Sequence, residues 1–360
     1  PRPAPRGPEL PGARFGRIVA TSSWILLFGL VFLTTLYFGG ARNVVAGPAY
    51  LVGAVLWFLL GLQAVVGIIQ RKRSVDLVDL PVFLFLAYAA WATWSHAPEE
   101  YQARLEWLWA SVYGAVFLTA RHQLPGRRMV PWLLGALLVA VLLSVGYGFA
   151  HFRVFEYKIG PVPVFGFPED TRVAGYAERM SGTFGCPNNF GNYTVQAGLV
   201  ALTLLTWPGM FWPVRIAAGW SALAFAAATF FSISRGSWIS FVTSHTVWLS
   251  RWLIRGPLNW LGRLVVLAVA AGLLYAGFHF ANQDKAVAER WVKVIGQGEG
   301  IERIFSGEGN FRIRLAQDGL RIWQTSPIFG TGPASFDLEH QRAAPEDYRT
   351  RAKWTHNDYV

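Results

Sequence analysis

A chain of 360 residues that is 53% hydrophobic and 15% charged, with 17 Trp and 26 Phe, lies outside the composition of soluble globular domains. Its net charge of +11 does not indicate nucleic-acid binding. The Arg and Lys stand mostly in loops between apolar runs, where membrane topology and lipid headgroups account for them. The composition predicts an all-α polytopic membrane protein with no nucleic-acid partner.

Nine apolar segments follow one another along the chain, and most approach the roughly 20 residues needed to cross the hydrocarbon core. We therefore expect about nine transmembrane helices in this sequence. The first segment has membrane-spanning length and is interpreted as a signal anchor rather than a cleavable signal. The segments lie near residues 18–38, 48–69, 77–95, 106–120, 129–150, 190–207, 216–233, 237–254 and 264–282.

Basic residues set the orientation of these helices. Four Arg precede the first segment and place the N-terminus in the cytoplasm. Alternating crossings then put most other basic loop residues in the cytoplasm and two long polar segments in the periplasm. The predicted organisation is a cytoplasmic tail at 1–17, helices one to five at 18–150, a periplasmic loop at 151–189, helices six to nine at 190–282 and a large periplasmic loop at 283–360.

The large loop carries two short helical patterns. Ala286 to Gln297 places its apolar residues on one face, which is typical of a helix lying on the membrane surface. A second helix is predicted from Phe311 to Thr325, and the Pro and Gly of the following P-I-F-G-T-G segment are expected to turn the chain sharply.

Arg235, in the sequence Ser234 to Trp238, stands at the predicted outer end of the seventh helix. A guanidinium there can bind a diphosphate through two parallel hydrogen bonds. The alternative is an Arg that reaches from a helix end towards water, which is common, and this alternative is favoured for the residue taken alone.

Three more Arg belong to the predicted helix of the large loop. Arg312 and Arg314 are two residues apart and therefore point about 200° away from each other, so we do not expect them to share one role. Arg314 and Arg321 are candidates for binding substrate, for contacts with headgroup phosphates, or for a solvated helix face.

His356 is the candidate general base, because neutral imidazole, with an ordinary pKa of ~6.5, accepts a proton from a sugar hydroxyl. Asp358 is a candidate to orient it, and a surface His is the alternative. His340 lacks this context and is assigned a structural role. Arg179, Asn188 and Asn189 flank the start of the sixth helix, where they suit contacts with an anion or sugar hydroxyls, or the capping of that helix.

The sequence contains no Gly-rich phosphate loop, no HExxH, no paired Cys motif and no Asp-x-Asp. Enzymes that use nucleotide sugars commonly need a soluble domain and a pair of metal-binding carboxylates. We therefore predict neither a metal site nor a cofactor.

Several of these segments together resemble one family. The pattern R-x₁₄-P-I-F-G-T-G-P-x-S-F from Arg312 to Phe336, followed by H-N-D-Y from His356, is similar to the signature loop of the bacterial O-antigen ligase and polymerase family. S-R-G-S-W around Arg235 and R-M-S-G-T-F-G-C-P-N-N-F from Arg179 also resemble it. Ala316 departs from the pattern, which has an aromatic residue there.

The resemblance implies about twelve transmembrane helices in a full chain, located in the bacterial inner membrane. It also implies a glycan donor linked to undecaprenyl diphosphate and transfer to an acceptor hydroxyl, without metal and with inversion. Arg235 and Arg312 would bind the diphosphate, Arg179 and Asn189 would contact substrate, and His356 would act as the base.

Transfer of O-antigen onto lipid A–core is the favoured reaction within the family. The alternatives are a polymerase of O-antigen or exopolysaccharide, and then a protein oligosaccharyltransferase. A transporter of lipid-linked glycans is the alternative from another class. A transporter would place its charged residues near the middle of the membrane, whereas here they cluster in loops on one predicted side.

Overall fold

The computed structural model of the chain describes residues 13–36, 43–69, 76–123, 130–151, 179–184, 186–255, 260–265 and 311–343, together with positions 268, 271, 272, 275 and 279. Within these ranges the chain forms helices and short connections, with no strand. The predicted all-α class is confirmed.

Ten helices account for most of the described residues. They are α1 (Ala13–Leu36), α2 (Asn43–Ile69), α3 (Leu80–Ser95), α4 (Glu100–His122), α5 (Val130–His151), α6 (Pro187–Thr206), α7 (Trp212–Phe231), α8 (Arg235–Arg255), α9 (Phe311–Thr325) and α10 (Phe336–Ala343).

Several helices begin a few residues earlier than the apolar segments that predicted them, and two of these differences have a local explanation. The fourth segment was expected near 106–120, but α4 begins at Glu100 because a pair between Arg104 and Glu100, one helical turn apart, supports a polar first turn. The sixth was expected from 190, but α6 begins at Pro187, since proline is well suited to the first positions of a helix.

Five helices of the described ranges are long and apolar enough to cross a membrane. They cover Arg14–Leu36, Ala46–Ile68, Leu77–Ser95, Val130–Ala150 and Trp212–Phe231. Helices α4, α6 and α8 cover the predicted fourth, sixth and eighth segments but carry more polar residues. An all-α membrane protein is therefore established, while the total of about nine crossings stays a prediction.

The described parts of residues 28–46 and 126–297 form one compact unit, with α6 at its centre. Phe190 on α6 and Phe225 on α7 are fully buried in its core. Small residues on α6 let its neighbours come close: a Cβ on Gly198 would lie 3.2 Å from Nε2 of His245 on α8. This packing holds α6 against α7 and α8.

A second compact unit comprises the described parts of residues 1–27, 47–125 and 298–360. In it α3 packs against α4, and α9 packs against α10. The Trp57 indole on α2 donates to the carbonyl of Ser111 on α4 at 3.0 Å. This unit holds the P-I-F-G-T-G turn and the helix on each side of it.

Some predictions fall on residues that the structure does not describe. They are the surface helix at 286–297, His356 with the H-N-D-Y segment, and most of the loop predicted at 151–189.

Candidate active site

The turn between α7 and α8 determines where Arg235 stands. Helix α7 ends at Phe231, the next three residues are buried, and α8 begins at Arg235 itself. Ile233 has φ of 47°, a left-handed conformation that is uncommon for a β-branched residue. The sharp reversal puts Arg235 at the N-terminus of α8, where free N–H groups and the helix dipole favour an anion.

Arg179 stabilises the turn between α7 and α8 through hydrogen bonds. Its Nε donates to the Ser232 carbonyl at 2.9 Å, and its Nη2 donates to Oδ1 of Asn188 at 2.7 Å. The N–H of the next residue, Met180, donates to the Phe231 carbonyl at 2.9 Å. The buried guanidinium thus joins the residues before α8 to the first turn of α6.

The first turns of α6 and α8 also touch each other directly. Oγ of Ser237 donates to Oδ1 of Asn192 at 3.0 Å, and it lies 3.4 Å from the Asn188 carbonyl. Asn189, predicted to bind substrate, is exposed beside these contacts. Two helices therefore begin next to each other, with amide and hydroxyl side chains around them.

Gly191 permits this close approach, and we expect Gly191→Ala to be destabilising. A Cβ at this position would lie 2.5 Å from Oγ of Ser232 and 2.6 Å from Oγ of Ser237. Overpacking of this kind costs about 1–3 kcal/mol, so the thermal unfolding midpoint of the purified protein should fall. In Gly146→Ala the new methyl meets nothing within 4 Å, and the midpoint should stay or rise. Equal midpoints for the two variants would contradict the close contact of α6 with α8.

Helix α9 carries the three Arg of the large loop. Its buried side contains Leu315, Asp318 and Ile322. The helical register places positions 314 and 321 within about 20° of each other and position 312 about 180–200° away from them. The Arg321 side chain is 60% exposed, and its Nη1 lies 3.3 Å from Oδ1 of Asp318. The backbone thus separates Arg312 from the other two, as the spacing predicted.

A buried polar pair holds α10 against α9. His340 is fully buried, and its Nδ1 lies 3.3 Å from Oδ2 of Asp318. The Phe336 ring stacks on His340 with the ring centroids 5.4 Å apart. His340 is thus enclosed between α9 and α10 and contributes to their packing.

The turn from Ser326 to Ser335 connects α9 to α10. Gly330 and Gly332 have positive φ of 66° and 94°, as expected for the residues predicted to turn the chain. The Gly330 N–H donates to the Ser326 carbonyl at 2.8 Å, and the hydroxyls of Thr331 and Ser335 are 2.8 Å apart.

This turn lies against the end of α3. Tyr88 donates its hydroxyl proton to the Phe329 carbonyl at 2.8 Å, and the Trp91 and Phe329 rings are 5.3 Å apart. A Cβ on Gly332 would come within 2.9 Å of the Ala97 nitrogen. The family-like loop is therefore fixed to the corner between α3 and α4.

Sequence reasoning missed several residues of this arrangement. Ser232, Ser237 and Asn192 join α6 to α8, and Tyr88 holds the Pro-Gly turn. The serines of F-S-I-S-R-G-S, closely spaced in an apolar region, were a signal for the first group. Within the ranges that the structure describes, no group of three or more His, Cys, Asp or Glu side chains is arranged to hold a metal ion.

The fold and these loops define an all-α membrane protein with Arg-bearing helix ends and a fixed polar turn. Residues 220–360 match the family model described as O-antigen ligase, and this range contains the end of α7 and all of α8, α9 and α10. The match supports the resemblance to the O-antigen ligase family for the motifs at Arg235, Arg312 and His356, which lie within these residues. The segment that starts at Arg179 lies before the matched residues. Comparison with the curated proteins and with the solved structures gave no match.

Proposed function

We propose that this protein transfers a glycan from undecaprenyl diphosphate to an acceptor hydroxyl, and that the acceptor is lipid A–core. The family match supports the coarser part of this statement, a membrane protein of a glycan-transferring ligase and polymerase family. The donor, the acceptor and the residue roles are our proposal.

The strongest support for the proposal is the pair of hydrogen bonds from Arg179 to Ser232 and Asn188. Two sequence segments that resemble the family, one starting at Arg179 and one around Arg235, are more than 40 residues apart yet are joined by hydrogen bonds. The link fixes the start of α8, so Arg235 enters a helix whose N-terminus suits a phosphate. In this arrangement Arg179 acts as a positioning residue for the diphosphate site.

Positive charge near the leaving group would favour the proposed reaction. When the bond between the anomeric carbon and the diphosphate oxygen breaks, the bond electrons leave with the lipid diphosphate. Arg235 and Arg312 stabilise that growing charge, the kind of electrostatic term that contributes most in many enzymes. Two guanidinium groups supply this stabilisation without a metal ion.

His356 acts on the acceptor. Its neutral imidazole takes the hydroxyl proton while the acceptor oxygen forms a bond to the anomeric carbon from the face opposite to the diphosphate. One bond forms as the other breaks, so the configuration inverts. Arg314, Arg321 and Asn189 are the proposed contacts to the rest of the substrate.

Contacts between loops support the proposed topology in the inner membrane. With a cytoplasmic N-terminus and alternating crossings, the end of α3 and the turn after α9 both lie in the periplasm, and Tyr88 contacts Phe329. The loops on the other predicted side also meet, because the Arg121 Nε lies 2.9 Å from Oδ1 of Asp79. Each contact joins segments that the proposal places on the same face.

Arg312→Ala tests the proposed role in the reaction. In vesicles supplied with undecaprenyl-diphosphate glycan and lipid A–core, we expect the transfer rate to fall about 10²–10³-fold, the usual cost of removing one group that stabilises charge in a transition state. Arg342→Ala is the matched control, because its side chain is 64% exposed and pairs with Glu339, three residues earlier on the same helix. Product is separated by gel electrophoresis.

The same assay separates the acceptors. A joined product of glycan and lipid A–core identifies a ligase, whereas longer lipid-linked glycan without that product identifies a polymerase. Equal transfer by Arg312→Ala and Arg342→Ala would remove Arg312 from the mechanism.

A further inference from the structure

The apolar tip of the turn between α9 and α10 is unusually exposed for a loop that is otherwise polar. Ile328 is 79% exposed and Phe329 is 50% exposed. In water the exposed parts of both side chains would be unfavourably hydrated. What covers them is indicated by the helix against which the turn lies.

That helix is one of the candidate membrane spans. The span containing α3 covers Leu77–Ser95, and the turn contacts it at Tyr88 and Trp91. At a rise of about 1.5 Å per residue, these two residues precede the end of the span by about 10 Å and 6 Å. The tip therefore lies beside the candidate span and before its end. In a bilayer crossed by this span, that position corresponds to the depth of the interface and the first part of the acyl chains.

The aromatic residues around the tip match such a depth. Tyr88, Trp91 and Trp94 are all exposed on the same end of α3. Trp and Tyr concentrate where the membrane meets water, because their rings are apolar and one edge forms hydrogen bonds. The turn thus adds Ile328 and Phe329 to an existing interfacial belt.

The backbone of the turn also suits a medium with little water. Non-helical backbone at membrane depth requires partners for its polar groups. The Phe329 carbonyl accepts from Tyr88, the Gly330 N–H donates to Ser326, and the Ser326 N–H donates to the Trp323 carbonyl at 3.0 Å. Pro327 has no N–H to satisfy.

We propose that the tip of this turn, Ile328 and Phe329, inserts into the lipid bilayer beside α3 and anchors α9 at the membrane surface. Exposed Leu320 and Trp323 on α9 extend the same apolar surface towards the tip.

A fluorescent probe at the tip tests the insertion. The natural Cys186 is replaced by Ser, since it is the single cysteine of the chain, and Ile328→Cys in that background carries an environment-sensitive NBD label. In vesicles of phosphatidylethanolamine and phosphatidylglycerol we expect blue-shifted emission, strong quenching by lipids brominated near the carbonyl end of the acyl chain, and little quenching by iodide.

The matched control is Gln341→Cys on α10, which is exposed and polar. Its probe should emit at longer wavelength and should be quenched by iodide but not by brominated lipid. Thermal unfolding of both labelled proteins checks that they are folded. A probe at 328 that behaves like the probe at 341 would overturn the proposal.

Discussion

Arg235→Ala should lower the rate of glycan transfer about 10²–10³-fold and leave the fold intact. Removing one group that stabilises transition-state charge has this effect in other enzymes. Arg235→Lys keeps the charge but loses the planar pair of donors, so we expect its rate to lie between those of wild type and Arg235→Ala. Initial rates at saturating acceptor, in the vesicle assay, measure both changes.

The control for this prediction lies on the same helix. Arg251 stands near the other end of α8 and is exposed, so Arg251→Ala should transfer glycan at the wild-type rate. Added guanidinium should partly restore Arg235→Ala if the missing group acts as a cation next to the diphosphate. A rate for Arg235→Ala equal to that of Arg251→Ala would exclude the proposed role.

His356→Ala should reduce transfer by about 10²–10⁴-fold, the usual contribution of a general base. The substitution removes the group that accepts the acceptor proton and leaves the diphosphate site unchanged. Donor binding, measured with the lipid-linked glycan in the absence of acceptor, should therefore stay at the wild-type level. In the wild type, the rate should fall as the pH is lowered and the imidazole becomes protonated.

Chemical rescue distinguishes the proposed role of His356 from that of Arg235. Imidazole should restore part of the activity of His356→Ala and none of that of Arg235→Ala, while guanidinium should do the reverse. If His356→Ala retains the wild-type rate, the base must be another residue.

The sequence allowed the helices to be predicted because the bilayer imposes a length and a composition on them. It also predicted α9 from Phe311 to Thr325 and the turn residues after it, since Pro and Gly act locally. These features depend on a few neighbouring residues. The limits of α4 were missed because its polar first turn interrupts the apolar pattern that hydropathy detects.

Contacts between distant segments were not predictable in the same way. Arg179 donates to the carbonyl of buried Ser232, in a turn where Ile233 takes a left-handed conformation that its residue type does not predict. The contact of Tyr88 with Phe329 joins residues 241 positions apart, and neither residue type indicates the other. The motifs predicted which loops belong to the candidate site, but the contacts between those loops depend on the packing of the helices.

The separation between Tyr88 and Phe329 has a consequence for biogenesis. During synthesis α3 is complete more than 200 residues before the turn that covers its end, so the turn can reach its place only after most of the membrane helices have been inserted. Until then Trp91 and the Tyr88 hydroxyl lack this cover. The loop that carries Arg312 is therefore assembled late, on a surface that earlier helices have already built.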